Sequence, residues 1–494
     1  MKLRSADAAI GIVLGCAALL VRLPFRGRYL YHWDSVNFAL SLEHYDVRLH
    51  QPQPPGYFLY SMLGRLVNLA AHDPNTSLIW ISLVSGALGV VAIYWLGLRM
   101  FDRETGLVAA LLTLVSPLHW FYSDVALSYA LEFVLVTLLA GLCYRQLDGD
   151  RAGWLRLAIL FGVAGGVRQN DLVLLFPLWL VSLRPLTWSR RAASALVLGL
   201  VVLGWLWPMM ALSGGPGGFF AALLAQGDAR VLGDSAIGSA RELGLNALRV
   251  AIFVGYGLCL AALPLLAGPW LLGRPLRAAL ADRRVWVCAL WVGPALAFYV
   301  FVFVRQHGYI FTFLPALILL AAAALVRLGR RARGWAARIY WPWVALLLVG
   351  NGLFFLLGPA ALFGSAQLVL QAPTRQSIAQ RDQFLAERID FIQHAFDPKT
   401  SAVLAGSLNF RHPDYYLRQF QATSLSYRLG PDFTPLPDNV HTLILFDDLS
   451  LPALPPGMRM LQVPLDGQNS IRYITWGSAE RALISQSQIE IEPR

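Results

Sequence analysis

Lysine is almost absent from this chain, cysteine is rare and charge of either sign is thin. The 494 residues hold only two lysines, Lys2 and Lys399, and 14% are charged. Soluble domains carry about 25% charge, so an ordinary soluble enzyme is excluded. The four cysteines, Cys16, Cys143, Cys259 and Cys288, all lie in apolar segments, which suits packing and excludes a disulfide framework. No glycine loop of the nucleotide-binding kind is present, which argues against a nucleotide-sugar substrate. No Ala-x-Ala site follows the first apolar run, so that run is expected to stay as a helix. The net charge is +11, but the arginines fall between apolar runs instead of gathering on one basic face. Nucleic acid is therefore excluded as a partner.

What the chain has in quantity is apolar length: 57% of it is hydrophobic. The runs predict a multi-pass, all-α membrane protein with about eleven helices, near 7–24, 76–98, 105–120, 125–144, 154–168, 171–183, 193–212, 245–272, 285–304, 308–326 and 339–358. Arginine placement sets the orientation, because positive loops stay in the cytoplasm. With Lys2 and Arg4 inside, every second connection is rich in arginine, the largest group being Arg327, Arg330, Arg331, Arg333 and Arg338. The opposite face then holds residues 25–75, the turn Trp120–Asp124, the turn Arg168-Gln169-Asn170, the loop 213–244, the turn Arg305-Gln306-His307 and everything after about 359.

The unusual polar residues gather on that opposite face. Trp33-Asp34-Ser35 follows the first apolar run, and His50-Gln51-Pro52-Gln53-Pro54-Pro55-Gly56-Tyr57 comes soon after. Asp34 is suited to cap a short helix Ser35–Tyr45, and Tyr57–Leu69 reads as a second interfacial helix after the Pro54-Pro55 stop. The glycine-rich opening of the 213–244 loop reads as a hinge, with Phe219–Leu224 able to dip into the interface as a lid. Residues 374–396 read as a charged helix, followed by strand-like runs at Ala402–Ala405, His441–Phe446, Met460–Val463 and Ile471–Trp476. The domain expectation is thus a membrane domain over 1–358 and a small extracytoplasmic α/β domain over 359–494.

Each polar residue has a bland role and a chemical one. Asp34 and Asp124 can be helix caps, or can take a proton from an acceptor hydroxyl. Arg168 can snorkel to the interface, and Arg305 and His307 sit at a span boundary, but all three can hold a phosphate as it leaves. His119 fits a satisfied interfacial histidine. Glu132 lies within an apolar run, where a carboxylate is costly, so it is expected to face the bundle or a water-filled cavity. Arg411, Tyr415 and Tyr416 suit surface packing. Trp33, His50, Gln51, Gln53 and Tyr57 are the candidate substrate contacts, the aromatic ones packing on sugar or prenyl groups.

Asp34 after the first helix, the Gln-Pro-Pro-Gly-Tyr type segment and Asp124 after the third helix together resemble the GT-C glycosyltransferases. Within them the chain is similar to the dolichyl-phosphate-mannose protein mannosyltransferase superfamily and to its bacterial RgtA/RgtB-like members. The resemblance implies a polyprenyl-phosphate sugar donor, inversion at the anomeric carbon, an envelope glycan, lipid or protein acceptor, and a catalytic acid matching Asp34, with Asp124 as the second. Some relatives carry an acid before Pro-Pro that binds a divalent metal; Gln51 and Gln53 stand there instead. A metal held by His50 or His307 is possible, but neutral amides bind hard cations poorly, so no metal ligand is assigned and no cofactor is certain. The expected place is a bacterial inner membrane, with the site and C-terminus outside. The alternatives are a polysaccharide polymerase or ligase fed by lipid-linked sugars, and a lipid-linked sugar flippase. A flippase would call for repeats, broken helices and mid-membrane polar groups.

Overall fold

The computed structural model describes residues 5–226, 239–266, 282–358, 373–406, 408–424, 439–447, 459–465 and 470–475. The chain forms two compact units: Met1–Arg26 with His44–Ile378, and Gly27–Glu43 with Ala379–Arg494. The 27–43 segment, which the sequence places in the membrane domain, therefore clusters with the C-terminal unit.

The first unit is a helix bundle and makes the chain a multi-pass membrane protein. Among the described residues seven helices are long and apolar enough to cross a membrane, or eight when one bent pair counts as a span. The expected count of about eleven is higher because three further runs form helix but fall short of a span. Trp154–Val167 has only 14 residues, Asn170–Leu174 and Phe176–Ser182 are separated by a break at Leu175, and Leu314–Arg331 carries Arg327, Arg330 and Arg331 towards its end. The expected 245–272 helix forms as Ala240–Leu258 and the turn Cys259–Ala261; its end lies outside the described residues.

Burial explains the order within the bundle. Pro74–Met100 is its central helix, 27 residues long, and most of it is buried. At 1.5 Å per residue it spans about 40 Å. Asp73 caps it, its carboxylate accepting from the Thr76 N–H at 2.7 Å, and Pro74 occupies the first turn where no N–H is required. Gly97 packs on Gly106 so closely that a Cβ on Gly97 would lie 2.6 Å from the Gly106 Cα, the small-residue contact that lets two helix backbones approach. Trp188–Leu212, only 17% buried, presents Leu196, Leu200, Leu203 and Trp207 outward, as a lipid-facing helix does.

Two local expectations are corrected here. The third apolar run is not one helix: Arg103–Val115 bends by 59° into Pro117–Asp124. Pro117 cannot continue the hydrogen-bond ladder, so Ser116 restarts it as a new N-cap, its hydroxyl accepting from the His119 N–H. The expected hinge and lid are also replaced. Gly215–Gln226 is a helix, and Phe219 is buried with Tyr45, Val47, Phe58, Trp205 and Met209; a lid segment cannot be so anchored. The rest of that loop, 227–238, lies outside the described residues.

In the second unit a five-stranded sheet has the order β2-β1-β3-β5-β4, with β1 Ser401–Ala405, β2 Gln421–Ser424, β3 Thr442–Leu445, β4 Arg459–Pro464 and β5 Ser470–Thr475. Pairing is parallel for β1 with β2 and β3, and antiparallel for β5 with β3 and β4. β1 is buried at every residue, as a central parallel strand is. Helix Arg375–Ala395 lays Leu385, Ile389 and Ile392 against Val403, Ala405, Ile444 and Ile471.

Candidate active site

The candidate residues divide between the two units. In the second, Asp34 lies in the first turn of helix Trp33–Glu43, where the helix dipole favours a carboxylate. The expected cap position before Ser35 is corrected, because the His32 carbonyl already accepts from the Val36 N–H and so opens the helix earlier. The Asp34 side chain is 16% exposed, and its Oδ2 lies 3.4 Å from His32 Nδ1. That nitrogen also accepts the Asp34 backbone N–H at 3.1 Å. The Trp33 ring packs on the His32 ring and, at 6.0 Å, near Phe410.

The other candidates are in the first unit. Asp46 and Gln51 exchange two backbone hydrogen bonds, at 2.7 and 3.0 Å, which folds the segment from Tyr45 to Tyr57 into a closed loop. Tyr45 closes it further, its hydroxyl donating to the Gly56 carbonyl at 2.6 Å. Gly56 has φ +118°, and a Cβ there would meet Met209 Sδ at 2.6 Å; both the angle and the space require glycine. His50, Gln51 and Tyr57 are half-buried, and Gln53 is buried with its Oε1 lacking a hydrogen-bond partner. Helix Phe58–Ala71 follows, close to its expected bounds, with Leu66 and Leu69 exposed.

Arg168 ends helix Trp154–Val167 as its C-cap. It does not snorkel: it is 3% exposed, and its Nε lies 2.9 Å from Glu132 Oε2, with Glu132 fully buried. One guanidinium nitrogen donates to Ser128 Oγ at 3.2 Å. Its charge sits 4.5 Å from the Tyr129 ring, 5.6 Å from Tyr57 and 6.0 Å from Tyr309, the distances of cation–π contacts. Glu132 accepts from Thr312 Oγ1 at 2.7 Å, and buried Asp171 lies close enough to interact with both Glu132 and Arg168. Tyr129 donates to Gln306 Oε1 at 2.6 Å, which ties this cluster to the 305–307 turn.

In that turn Arg305 is half-buried. His307 is buried against the Phe253 ring at 4.2 Å. Burial pushes its imidazole down to about 3, so at neutral pH it offers an anion one N–H and no charge.

Asp124 belongs to a third group. It is the last residue of helix Pro117–Asp124, not the cap of the next span, which starts at Tyr129 after Ser128. Both its carboxylate oxygens are buried without a hydrogen-bond partner among the described residues, and Arg22 is its charged neighbour. Arg22, fully buried at the end of the first helix, donates to the Ala18 and Leu114 carbonyls and to His119 Nδ1. His119 is thus an interior residue and not one of the rim.

Sequence reasoning did not assign Arg22, Tyr129, Thr312 and Tyr309 to these groups. An arginine closing an apolar run was the available signal for Arg22; the tyrosines and threonine carry none until the helices are placed. Among the described residues no group of three or more His, Cys, Asp or Glu is close enough to hold a metal ion. In the loop the carboxylate of Asp46 is taken up by Arg48 at 2.6 Å, and the other donors are amides and an imidazole, which bind a hard cation poorly, so no step is assigned to one.

Residues 44–190 match the family described as "Protein O-mannosyl-transferase TMEM260 N-terminal domain". No curated protein matches the chain by sequence. By structure it is similar to ArnT from Cupriavidus metallidurans bound to undecaprenyl phosphate, with a TM-score of 0.62 at 15% identity, covering 96% of this chain and 99% of that one. The same protein in the apo state gives 0.59 at 14% identity, covering 95% and 98%. The apo oligosaccharyltransferase of Archaeoglobus fulgidus gives 0.54 at 10% identity, covering 89% of this chain and 69% of that one. Over nearly its whole length the chain shares the fold of ArnT from Cupriavidus metallidurans, and its 44–190 segment is similar to the protein O-mannosyl-transferase family domain.

Proposed function

We propose that the protein transfers a sugar from a polyprenyl-phosphate donor to an acceptor hydroxyl on the extracytoplasmic face of a bacterial inner membrane. The observation that carries this is the distribution of charge within the first unit. At one set of helix ends the charges are paired in the open, as in Arg99 and Arg283 with Asp148, and Arg330 with Asp102 and Glu104. At the opposite ends they are buried among tyrosines, as in Glu132, Arg168 and Asp171. Burying charge is costly; at the first set of ends buried Asp7 has an exposed partner in Arg103, whereas burying both members of an ion pair at the opposite ends suits chemistry on a substrate whose head lies there and whose tail lies in lipid. The full-length likeness to a structure holding undecaprenyl phosphate supports the donor class.

The acceptor oxygen forms a bond to the sugar C1 from the face opposite the phosphate, which inverts that centre. The C1–O bond to phosphate breaks, and polyprenyl phosphate departs with the electron pair. Asp34 takes the hydroxyl proton. Arg168 offers N–H donors to the departing phosphate, with its charge balanced by Glu132, while Arg305 adds further N–H donors and His307 one N–H. Trp33, His50, Gln51, Gln53 and Tyr57 contact the sugar and the prenyl head, and Asp124 orients a substrate hydroxyl. The acceptor is an envelope glycan, lipid or protein.

Binding of the leaving group gives a test without a known acceptor. Undecaprenyl phosphate at about a hundred times its Kd stabilises a protein by about 2.7 kcal/mol, so the melting temperature of the purified chain in detergent is expected to rise with it. Undecaprenol, which lacks the phosphate, is expected to give little shift. Equal shifts from both lipids, or none from the phosphate, would sink the proposal for the donor.

A further inference from the structure

The second unit gives its C-terminal part a task. The segment that carries Asp34 is held along its length by side chains from residues 381–418. The Asp382 carboxylate accepts the backbone N–H groups of Arg28 and Tyr29, at 2.9 and 3.0 Å. Tyr416 accepts the Leu30 N–H at 2.8 Å, and His412 Nε2 lies 2.8 Å from the Leu30 carbonyl. Arg381, itself buried and bonded to Asn409, donates to the Tyr31 carbonyl at 3.0 Å. On the helix, Arg411 Nε donates to Asn37 Oδ1 at 2.8 Å, and its other arm pairs with Asp414 at 3.0 Å. Arg418 grips Glu43 with two bonds, at 2.6 and 2.8 Å. Asn37 is one turn beyond Asp34, so it lies on the same stripe of the helix.

Surface packing does not call for this pattern. Four successive residues have backbone groups held by side chains 350 or more positions away in the chain, and a buried asparagine is matched to an arginine. We propose that the C-terminal unit is a positioning device for the first-loop helix, with Arg381, Arg411 and Arg418 as positioning residues that fix the direction of the Asp34 carboxylate. The inference rests on Asp34 being the reacting acid. Its physical sense is that a catalytic group displaced by about 1 Å can cost about a hundredfold in rate, and a short interfacial helix has little of its own to hold it still.

The test uses the full-length chain in lipid, with two readouts. Amide hydrogen exchange over 28–43 reports the clamp directly, and transfer kinetics report its consequence. In Arg411→Ala, exchange over 33–43 is expected to quicken about tenfold while the membrane helices stay as protected as in the wild type. kcat is expected to fall about 10- to 100-fold, with the donor KM within about twofold. Asn37→Ala should do the same, and the double variant should be no worse than either single one, because one contact has been removed twice. Arg418→Gln, which removes only a half-exposed pair, serves if Arg411→Ala fails to fold; its loosening should be confined to the end near Glu43. Slower transfer with unchanged exchange would mean that Arg411 touches substrate, and would overturn the proposal, as would additive effects in the double variant. If the wild type transfers no sugar, the proposed function fails, while the exchange arm still decides whether the clamp exists.

Discussion

Asp34→Asn is expected to reduce sugar transfer by about 10² to 10⁴, the usual contribution of a general base, with little change in stability. Asparagine keeps the size and shape of aspartate but cannot take a proton at neutral pH. The side chain is 16% exposed and lies beside His32, so no buried charge is left without its partner. The loss should appear in kcat with the donor KM nearly unchanged, because the proton moves only in the transition state. Equal activity of the variant and the wild type would reduce Asp34 to a stabiliser of the helix start.

The second large effect is expected at Arg168. Arg168→Met leaves Glu132 buried without its counter-ion, and breaking a buried pair from one side costs about 3–5 kcal/mol. Poor folding of this variant alone would say nothing about catalysis. The informative protein is Arg168→Met combined with Glu132→Gln and Asp171→Asn, which removes the pair and the buried acid beside it. Its melting temperature is expected to return close to that of the wild type, since the pair itself contributes little net stability once desolvation is counted. Transfer should stay low, because the donors to the leaving phosphate are gone. Recovery of both stability and transfer would show that the pair only holds helices together, and would remove Arg168 from the reaction.

Much of the fold was legible because apolar runs about 20 residues long have few other uses. Each of the eleven expected runs contains helix among its described residues, though Ser116 and Leu175 break two of them and the 125–144 run becomes helical only from Tyr129. What stayed hidden follows from chemistry that depends on placement. The bend at Pro117 was missed because the apolar run continues through it, and proline is well tolerated in a first turn. Strand β2, Gln421–Ser424, was missed because it is short, polar and at the sheet edge. Glu132 was marked as costly in lipid, but its partner stands 36 residues away on another helix. The hold on the Asp34 helix lies further out of reach, since Asn37 and Arg411 are 374 positions apart. The Asp34 and Pro-Pro-Gly-Tyr segments stood out for the opposite reason: polar and turn-forming residues between apolar runs are a local signal, visible without any fold.

The most direct test of the central claim is transfer by purified protein in sealed vesicles. Polyprenyl-phosphate sugar labelled in the sugar would be supplied with an envelope glycolipid extract as acceptor. The expected result is label in the acceptor with an equal amount of free polyprenyl phosphate, both lost in Asp34→Asn. Labelled donor that crosses the bilayer intact, with no polyprenyl phosphate released, would contradict the transferase and make the protein a carrier of lipid-linked sugar.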